Sequence, residues 1–165
     1  MRLAPLFLLV LAFLAAPLSL RGATPDPGPD GFRFGVTLGG ISFVGLSVEY
    51  LRGSRGIDVT VGSWALRDVS LSVVGKQYLG PGSVRPFFGV GLWGVAAFPE
   101  EGTGSVLVLR APVGMDWQIV KRSYLGAAMN INRGLWVHRS DPTDKTPLNK
   151  RLVPLPGFYY RWRGS

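Results

Sequence analysis

The chain has 165 residues, a formal net charge of +8 and no cysteine, and 47% of its residues are hydrophobic. Its length suits one domain, and a chain without cysteine cannot rely on disulfides for stability. The basic residues are scattered along the sequence instead of forming a patch, so nucleic acid is not expected as a partner. The 23 glycines favour strands and tight turns over helices.

The N-terminus is typical of a secretory signal. Arg2 precedes an apolar run over residues 3–18 that Pro5 and Pro17 interrupt. The run is shorter than the roughly 20 residues that a membrane helix needs. We therefore expect a cleaved signal peptide over residues 1–23 and export of the chain, with an uncleaved anchor as the alternative. Residues 24–31 are rich in proline and predict an extended spacer, and residues 32–165 predict one folded domain.

The first half of this domain alternates apolar and polar residues with a period of two, which predicts β-strands. The predicted strands cover residues 32–39, 44–50, 57–64 and 69–76, separated by glycine-rich or charged turns. In the third strand, Trp64 shares the parity of the polar face and is expected to point inward. The fourth pattern blurs at Val73, Val74 and Gly75, where a β-bulge is the expected cause.

The second half contains the clearest alternation. The fifth predicted strand covers residues 85–93. In the sixth, over residues 107–119, one face is apolar while the other carries Arg110, Asp116 and Gln118. A strand of this length, tilted by about 45°, crosses the apolar core of a bilayer, which is roughly 30 Å thick. Pro112 interrupts the pattern and removes one hydrogen-bond donor.

The last two predicted strands cover residues 124–132 and a segment ending at residue 162. Pro154 and Pro156 imply that the eighth strand begins late or contains a bulge. The turns after the second, fourth and sixth strands are short and share one end. The longer loops, near residues 98–104 and 134–150, share the other end. Short turns on one side and long loops on the other are typical of bacterial outer-membrane barrels.

The mature chain has no apolar stretch long enough for a membrane helix, so only a closed barrel would satisfy its backbone in lipid. The sequence thus predicts an all-β fold, an eight-stranded antiparallel up-and-down transmembrane β-barrel, in the outer membrane of a Gram-negative bacterium. The five tryptophans suit interfacial girdles, except Trp64 and Trp93, for which we expect inward core packing.

Two segments carry a family resemblance. Residues 84–92 are similar to a Pro-aromatic-Gly-x-Gly strand, and alternate aromatics end the last strand at Phe158, Tyr160 and Trp162. Both resemble the small outer-membrane barrels of the OmpA/OmpX type. The resemblance implies a porin-like architecture, and it implies that the barrel-assembly machinery reads the terminal aromatics. In that family the final aromatic is usually the last residue, whereas here residues 163–165 follow it.

Eight charged residues lie on the inward parity, and an eight-stranded barrel is just wide enough for side chains to fill. Because buried charges must pair, we expect a salt-bridged plug that stabilises the barrel, with a narrow gated pore as the alternative. The residues of this predicted lumen network are Arg33, Glu49, Asp58, Lys76, Arg85, Arg110, Asp116 and Arg161.

The function expected from this reading is structural or surface-interacting. The expected partners are outer-membrane lipid and lipopolysaccharide, and the barrel is expected to be a monomer. The basic excess is explained by turns and paired lumen arginines, or alternatively by attraction to anionic headgroups or polysaccharide. A soluble periplasmic barrel that binds a small ligand is a further alternative.

One pair of residues suggests an enzyme. His138 and Ser140 resemble the His-x-Ser of lipid A 3-O-deacylases, which are also eight-stranded barrels. A serine nucleophile needs a base and a group that orients that base. The family's later glutamate is missing, so Asp141 or Asp144 would have to replace it. His138 also has inward parity unless a bulge at residues 133–134 reverses it. We therefore assign no catalytic residue, metal or cofactor and keep a lipid A-modifying hydrolase as an alternative.

Overall fold

The computed structural model describes residues 30–98, 102–139, 146, 148 and 151–164. The predicted signal peptide and residues 24–29 of the predicted spacer lie outside these described residues. Within the described part of the chain, no helix is long and apolar enough to cross a membrane.

The eight predicted strands are present and form one closed antiparallel barrel. Each strand pairs with its neighbour in sequence, and β8 closes the barrel by pairing with β1. This arrangement confirms the predicted fold class. The strands are β1 (Gly31–Gly39), β2 (Ser42–Arg52), β3 (Arg55–Ser63), β4 (Asp68–Tyr78), β5 (Val84–Ala97), β6 (Gly104–Val120), β7 (Ser123–His138) and β8 (Val153–Arg163).

The barrel is apolar outside and polar inside. Outward positions of the wall expose large hydrophobic side chains, for example Leu46, Leu71 and Met115. The lumen instead buries arginine, lysine, carboxylate, serine and asparagine side chains. Two small apolar clusters of described residues lie inside, around Phe87 and around Trp93. This distribution is the reverse of that in a water-soluble domain, where buried charges are uncommon.

The wall is taller on one side. Strands β1 to β4 have 9 to 11 residues, whereas β5, β6 and β7 have 14, 17 and 16. The connections after β2, β4 and β6 are residues 53–54, 79–83 and 121–122. At the opposite end, β5 ends and β6 begins, and β7 ends and β8 begins, with residues 98–103 and 139–152 between them in the sequence.

Pro112 is accommodated in β6 by a local gap in pairing. The β5–β6 ladder runs from Phe88↔Val113 directly to Gly91↔Arg110, with no bridge at the proline. The ring of Pro112 faces the lumen opposite Gly89, where a Cβ would come within 3.2 Å of it. The longest strand therefore keeps its register with β5 across the proline, and a glycine leaves room for the proline ring.

Three local expectations are wrong. The register of β4 is continuous on both sides, so no bulge occurs there. The sequence pattern blurs because Val74 is an apolar residue that faces the lumen. Trp64 is exposed, because β3 ends at Ser63, where the Asp68 carboxylate accepts the backbone amides of Trp64 and Ala65 at 3.0 and 2.9 Å.

The third wrong expectation concerns the start of β8, which neither begins late nor contains a bulge. Pro154 and Pro156 pair in register with Ile131 and Met129 of β7. On the other side, β1 pairs with β8 only as far as Gly157. The prolines therefore lie beyond the end of the β1–β8 ladder, where the Gly40 amide still donates to the Pro156 carbonyl at 2.9 Å. The end of a ladder tolerates their missing donors.

Candidate functional site in the barrel lumen

The centre of the lumen holds two carboxylates and two cations. Asp58 Oδ2 accepts hydrogen bonds from Lys76 Nζ, at 2.6 Å, and from the Arg161 guanidinium. Glu49 lies 3.1 Å from Arg161 Nη1 and 3.3 Å from Lys76 Nζ, and it accepts a hydrogen bond from Tyr78 at 2.6 Å. All four charged side chains are buried, so each charge depends on the others for compensation. We call Glu49, Asp58, Lys76 and Arg161 the central quartet.

A second ion pair lies next to the quartet. Arg33 Nη1 donates to Asp116 Oδ2 at 2.7 Å, and the same nitrogen is 3.7 Å from Glu49 Oε2. The guanidinium of Arg33 also lies 3.8 Å from the centre of the Tyr124 ring. The contact with Glu49 joins this pair to the central quartet in one continuous network.

Strand register and small residues determine where the network lies in the lumen. Glu49 and Asp58 are directly opposite each other on β2 and β3. Two glycines make room for the largest inward side chains. A Cβ at Gly35 would overlap the stem of Arg161, and one at Gly126 would overlap the ring of Tyr159. Small residues on one strand thus admit bulky residues from the next.

Aromatic rings fill the space around the charges. Tyr78, Phe87 and Tyr159 form one buried cluster with Leu51. Lys76 Nζ lies 4.9 Å from the centre of the Phe87 ring and 5.4 Å from that of Tyr159. Tyr78 was not among the predicted network residues, although it continues the inward parity of β4 and that signal was available in the sequence.

Two further arginines face the lumen with no carboxylate partner among the described residues. All three carboxylates are engaged by Arg33, Lys76 and Arg161. Arg85 is buried, and within the described residues none of its side-chain nitrogens has a hydrogen-bond acceptor; its guanidinium lies 4.8 Å from the Tyr78 ring centre. In the part of the chain that the structure describes, Arg110 bonds to two neutral side chains, Ser72 and Asn130. The eight predicted lumen residues therefore all face inward, but they carry five cations and three anions.

Ion-paired and aromatic side chains fill most of the lumen. Among the described residues, a cavity of about 40 Å³ lies beside Arg110 and Arg161. Among the residues that the structure describes, no three His, Cys, Asp or Glu side chains are grouped to hold a metal ion. The carboxylates accept hydrogen bonds from cations within the network, which leaves them engaged in ion pairs.

His138 lies on the outside of the barrel. The β6–β7 register shifts between Val108↔Gly134 and Leu107↔Trp136, so Leu135 is an extra residue in β7. The shift reverses the parity, and both Trp136 and His138 become exposed, with their rings stacked at 6.1 Å. His138 is therefore outward despite its inward sequence parity. Ser140, Asp141 and Asp144 lie outside the described residues.

The terminal aromatics form an outward row on β8. Phe158, Tyr160 and Trp162 are all exposed, and the rings of Tyr160 and Trp162 lie 6.3 Å apart. The hydroxyl groups of Tyr160 and Ser123 are 2.9 Å apart, within hydrogen-bond distance. The aromatic row is thus fixed at the seam between β7 and β8, near the short-turn end of the barrel.

These features define a class of protein, an eight-stranded barrel with an apolar outer wall and a lumen filled by ion-paired side chains. The structure is similar to the crystal structure of the N-terminal β-barrel domain of Pseudomonas aeruginosa OprF. The TM-score is 0.61, the match covers 81% of this chain and 96% of that chain, and 12% of the residues are identical. The likeness confirms the fold expected from the OmpA/OmpX-type resemblance. No family model and no curated protein matches the sequence.

Proposed function

We propose that the chain is an integral protein of a bacterial outer membrane, reached through a cleaved signal peptide, with a structural or surface-interacting role. One observation carries the proposal: large apolar side chains cover the outside while the charged groups pair inside. Water would favour the opposite distribution, whereas lipid favours this one. The proposed partners are outer-membrane lipid, lipopolysaccharide and the barrel-assembly machinery, which would read Phe158, Tyr160 and Trp162.

Cell fractionation tests this location. We expect the protein to remain with the outer membrane, to dissolve only in detergent, and to migrate differently on gels before and after boiling. A soluble periplasmic ligand-binding barrel would instead leave the cells on osmotic shock. Release by osmotic shock without any heat-dependent gel shift would refute the proposal.

We further propose that the lumen is a plug and not an open pore. The central quartet and the Arg33–Asp116 pair span the lumen with contacts of 2.6 to 3.7 Å. Opening a path would separate buried charges, which costs several kcal/mol. Single-channel recording in planar bilayers should show no steady conductance. A stable open channel would contradict the plug and favour the gated pore.

A second candidate function, a lipid A-modifying hydrolase, gains one specific observation. His138 faces outward, as a residue acting on membrane lipid must. The chain still lacks a glutamate after Glu101 to orient the histidine. We therefore propose the non-enzymatic role first.

A further inference from the structure

The surroundings of Arg110 are unusual for a buried guanidinium. Its Nε and Nη2 donate to the Asn130 side-chain oxygen, at 3.1 and 2.6 Å, and its Nη1 donates to Ser72 at 3.1 Å. Both acceptors are neutral, and the structure gives Arg110 no ion pair with any described carboxylate. A guanidinium remains protonated at all physiological pH values. Its positive charge is therefore present in the lumen, and no described carboxylate lies within ion-pair distance of it.

An internal cavity adjoins this charge. It has a volume of about 40 Å³, and its lining includes the polar side chains of Thr37, Asp58, Lys76, Arg110, Asn130 and Arg161. The buried hydroxyl of Thr37 has no hydrogen-bond partner. The cavity thus combines a guanidinium that has no ion pair to a described carboxylate with a hydroxyl that is free to donate a hydrogen bond to a guest.

The one described carboxylate that lines the cavity, Asp58, makes no ion pair with Arg110. Asp58 Oδ1 accepts from Thr60 at 2.8 Å, and Oδ2 is held by Lys76 and Arg161. Both cations also contact Glu49, so the central quartet is balanced within itself. The excess charge facing the cavity is consequently that of Arg110.

We propose that this cavity binds a small inorganic monovalent anion such as chloride, held by the Arg110 guanidinium and the Thr37 hydroxyl. The size of the cavity sets the ligand class, because it has room for about three waters and none for a sugar acid or a nucleotide. The site goes beyond the proposed membrane role, since a barrel closed by side chains does not itself require a bound ion.

The test measures how anions affect stability. The mature barrel is folded in a non-ionic detergent in sodium gluconate or in sodium chloride at equal sodium concentration, and its unfolding by urea is followed. Gluconate is too large for the cavity. A ligand that binds one site of the folded state raises the folding equilibrium constant about tenfold for each tenfold rise in its concentration above the dissociation constant. We expect this chloride dependence in the wild type.

Two variants identify the site. Arg110→Gln should abolish the chloride dependence, while Arg122→Gln, in the exposed turn after β6, should retain it. Arg110→Lys keeps the positive charge but loses the planar guanidinium, so it should retain a weaker chloride dependence. This variant replaces Arg110→Gln in the test if the glutamine variant does not fold. Absence of the effect in the wild type, or its persistence in Arg110→Gln, would overturn the proposal.

Bromide provides a direct readout. Crystals of the wild type grown in millimolar bromide should show anomalous density between Arg110 and Thr37. Density that contains only water, or bromide that appears only at molar concentration, would also overturn the site. The heat-dependent gel shift and outer-membrane fractionation do not depend on the anion, so their outcome reports on the proposed function separately.

Discussion

The substitution Glu49→Gln tests whether the lumen network is a buried, interdependent unit. Glu49 is wholly buried and contacts Arg33, Lys76 and Arg161, and it also accepts the Tyr78 hydrogen bond. Glutamine preserves the shape of the side chain and an acceptor for Tyr78. It removes one of the three lumen carboxylates, so five cations would face two anions.

The loss of stability in Glu49→Gln distinguishes a lumen that water enters from a dry lumen. If water screens these charges as it does at a surface, the loss of one partner costs about 0–1 kcal/mol. If the charges are dry, removing one member of a buried pair costs about 3–5 kcal/mol. The complete burial of Glu49 and its contacts at 2.6 to 3.7 Å favour the second value. We therefore expect the free energy of unfolding to fall by about 3–5 kcal/mol.

Urea unfolding in detergent, followed by tryptophan fluorescence and by the heat-dependent gel shift, measures this change. Asp30→Asn removes an exposed carboxylate that accepts the Gly53 amide, and it should change stability by less than about 0.5 kcal/mol. The double variant Glu49→Gln/Lys76→Met restores the original charge difference and should lose less than the sum of the single variants. A loss below about 1 kcal/mol for Glu49→Gln would refute the buried-network reasoning.

Three further outcomes follow from the wall and the loops. Gly126→Ala should destabilise the barrel by about 1–3 kcal/mol, because its Cβ would overlap the Tyr159 ring. The Cβ of Gly94→Ala would enter open space, so this control should be nearly neutral in the same urea assay. Equal losses of stability in the two variants would show that ring packing is not the cause. Trp162→Ala should reduce the amount of heat-modifiable barrel recovered in outer membranes, and unchanged recovery would remove it from the assembly signal. Ser140→Ala should leave lipid A acylation in the host unchanged as judged by mass spectrometry, and a loss of deacylation would instead support the hydrolase.

Most of the fold could be predicted from residue parity, because alternate residues of a barrel strand face two different environments, apolar outside and polar inside. The lipid-like outer face and the polar inner face were readable in β1, β2 and β6 without any knowledge of pairing. The prediction of inward and outward side chains failed where a strand contains one extra residue. The extra residue Leu135 reverses the faces of β7, and nothing in the local sequence distinguishes it from the predicted position at residues 133–134.

The partners within the lumen could not be predicted from parity. Arg161 contacts Glu49 and Asp58 across separations of 112 and 103 residues, which depend on how the barrel closes and how its strands are staggered. Parity placed Arg85 and Arg110 inside, but it could not reveal that both lack a carboxylate. That absence appears only when the pairings of Asp116 and of the central quartet are known.

Site-directed spin labelling tests most directly whether the apolar outer wall contacts lipid, as we propose. The chain has no cysteine, so each label reports on one position. A label at Leu71→Cys, on the exposed outer face of β4, should be relaxed by oxygen dissolved in lipid and protected from a water-soluble nickel chelate. A label at Ser83→Cys, in the exposed turn before β5, should show the reverse. Strong relaxation of the Leu71→Cys label by the nickel chelate in reconstituted membranes would contradict a lipid-facing wall.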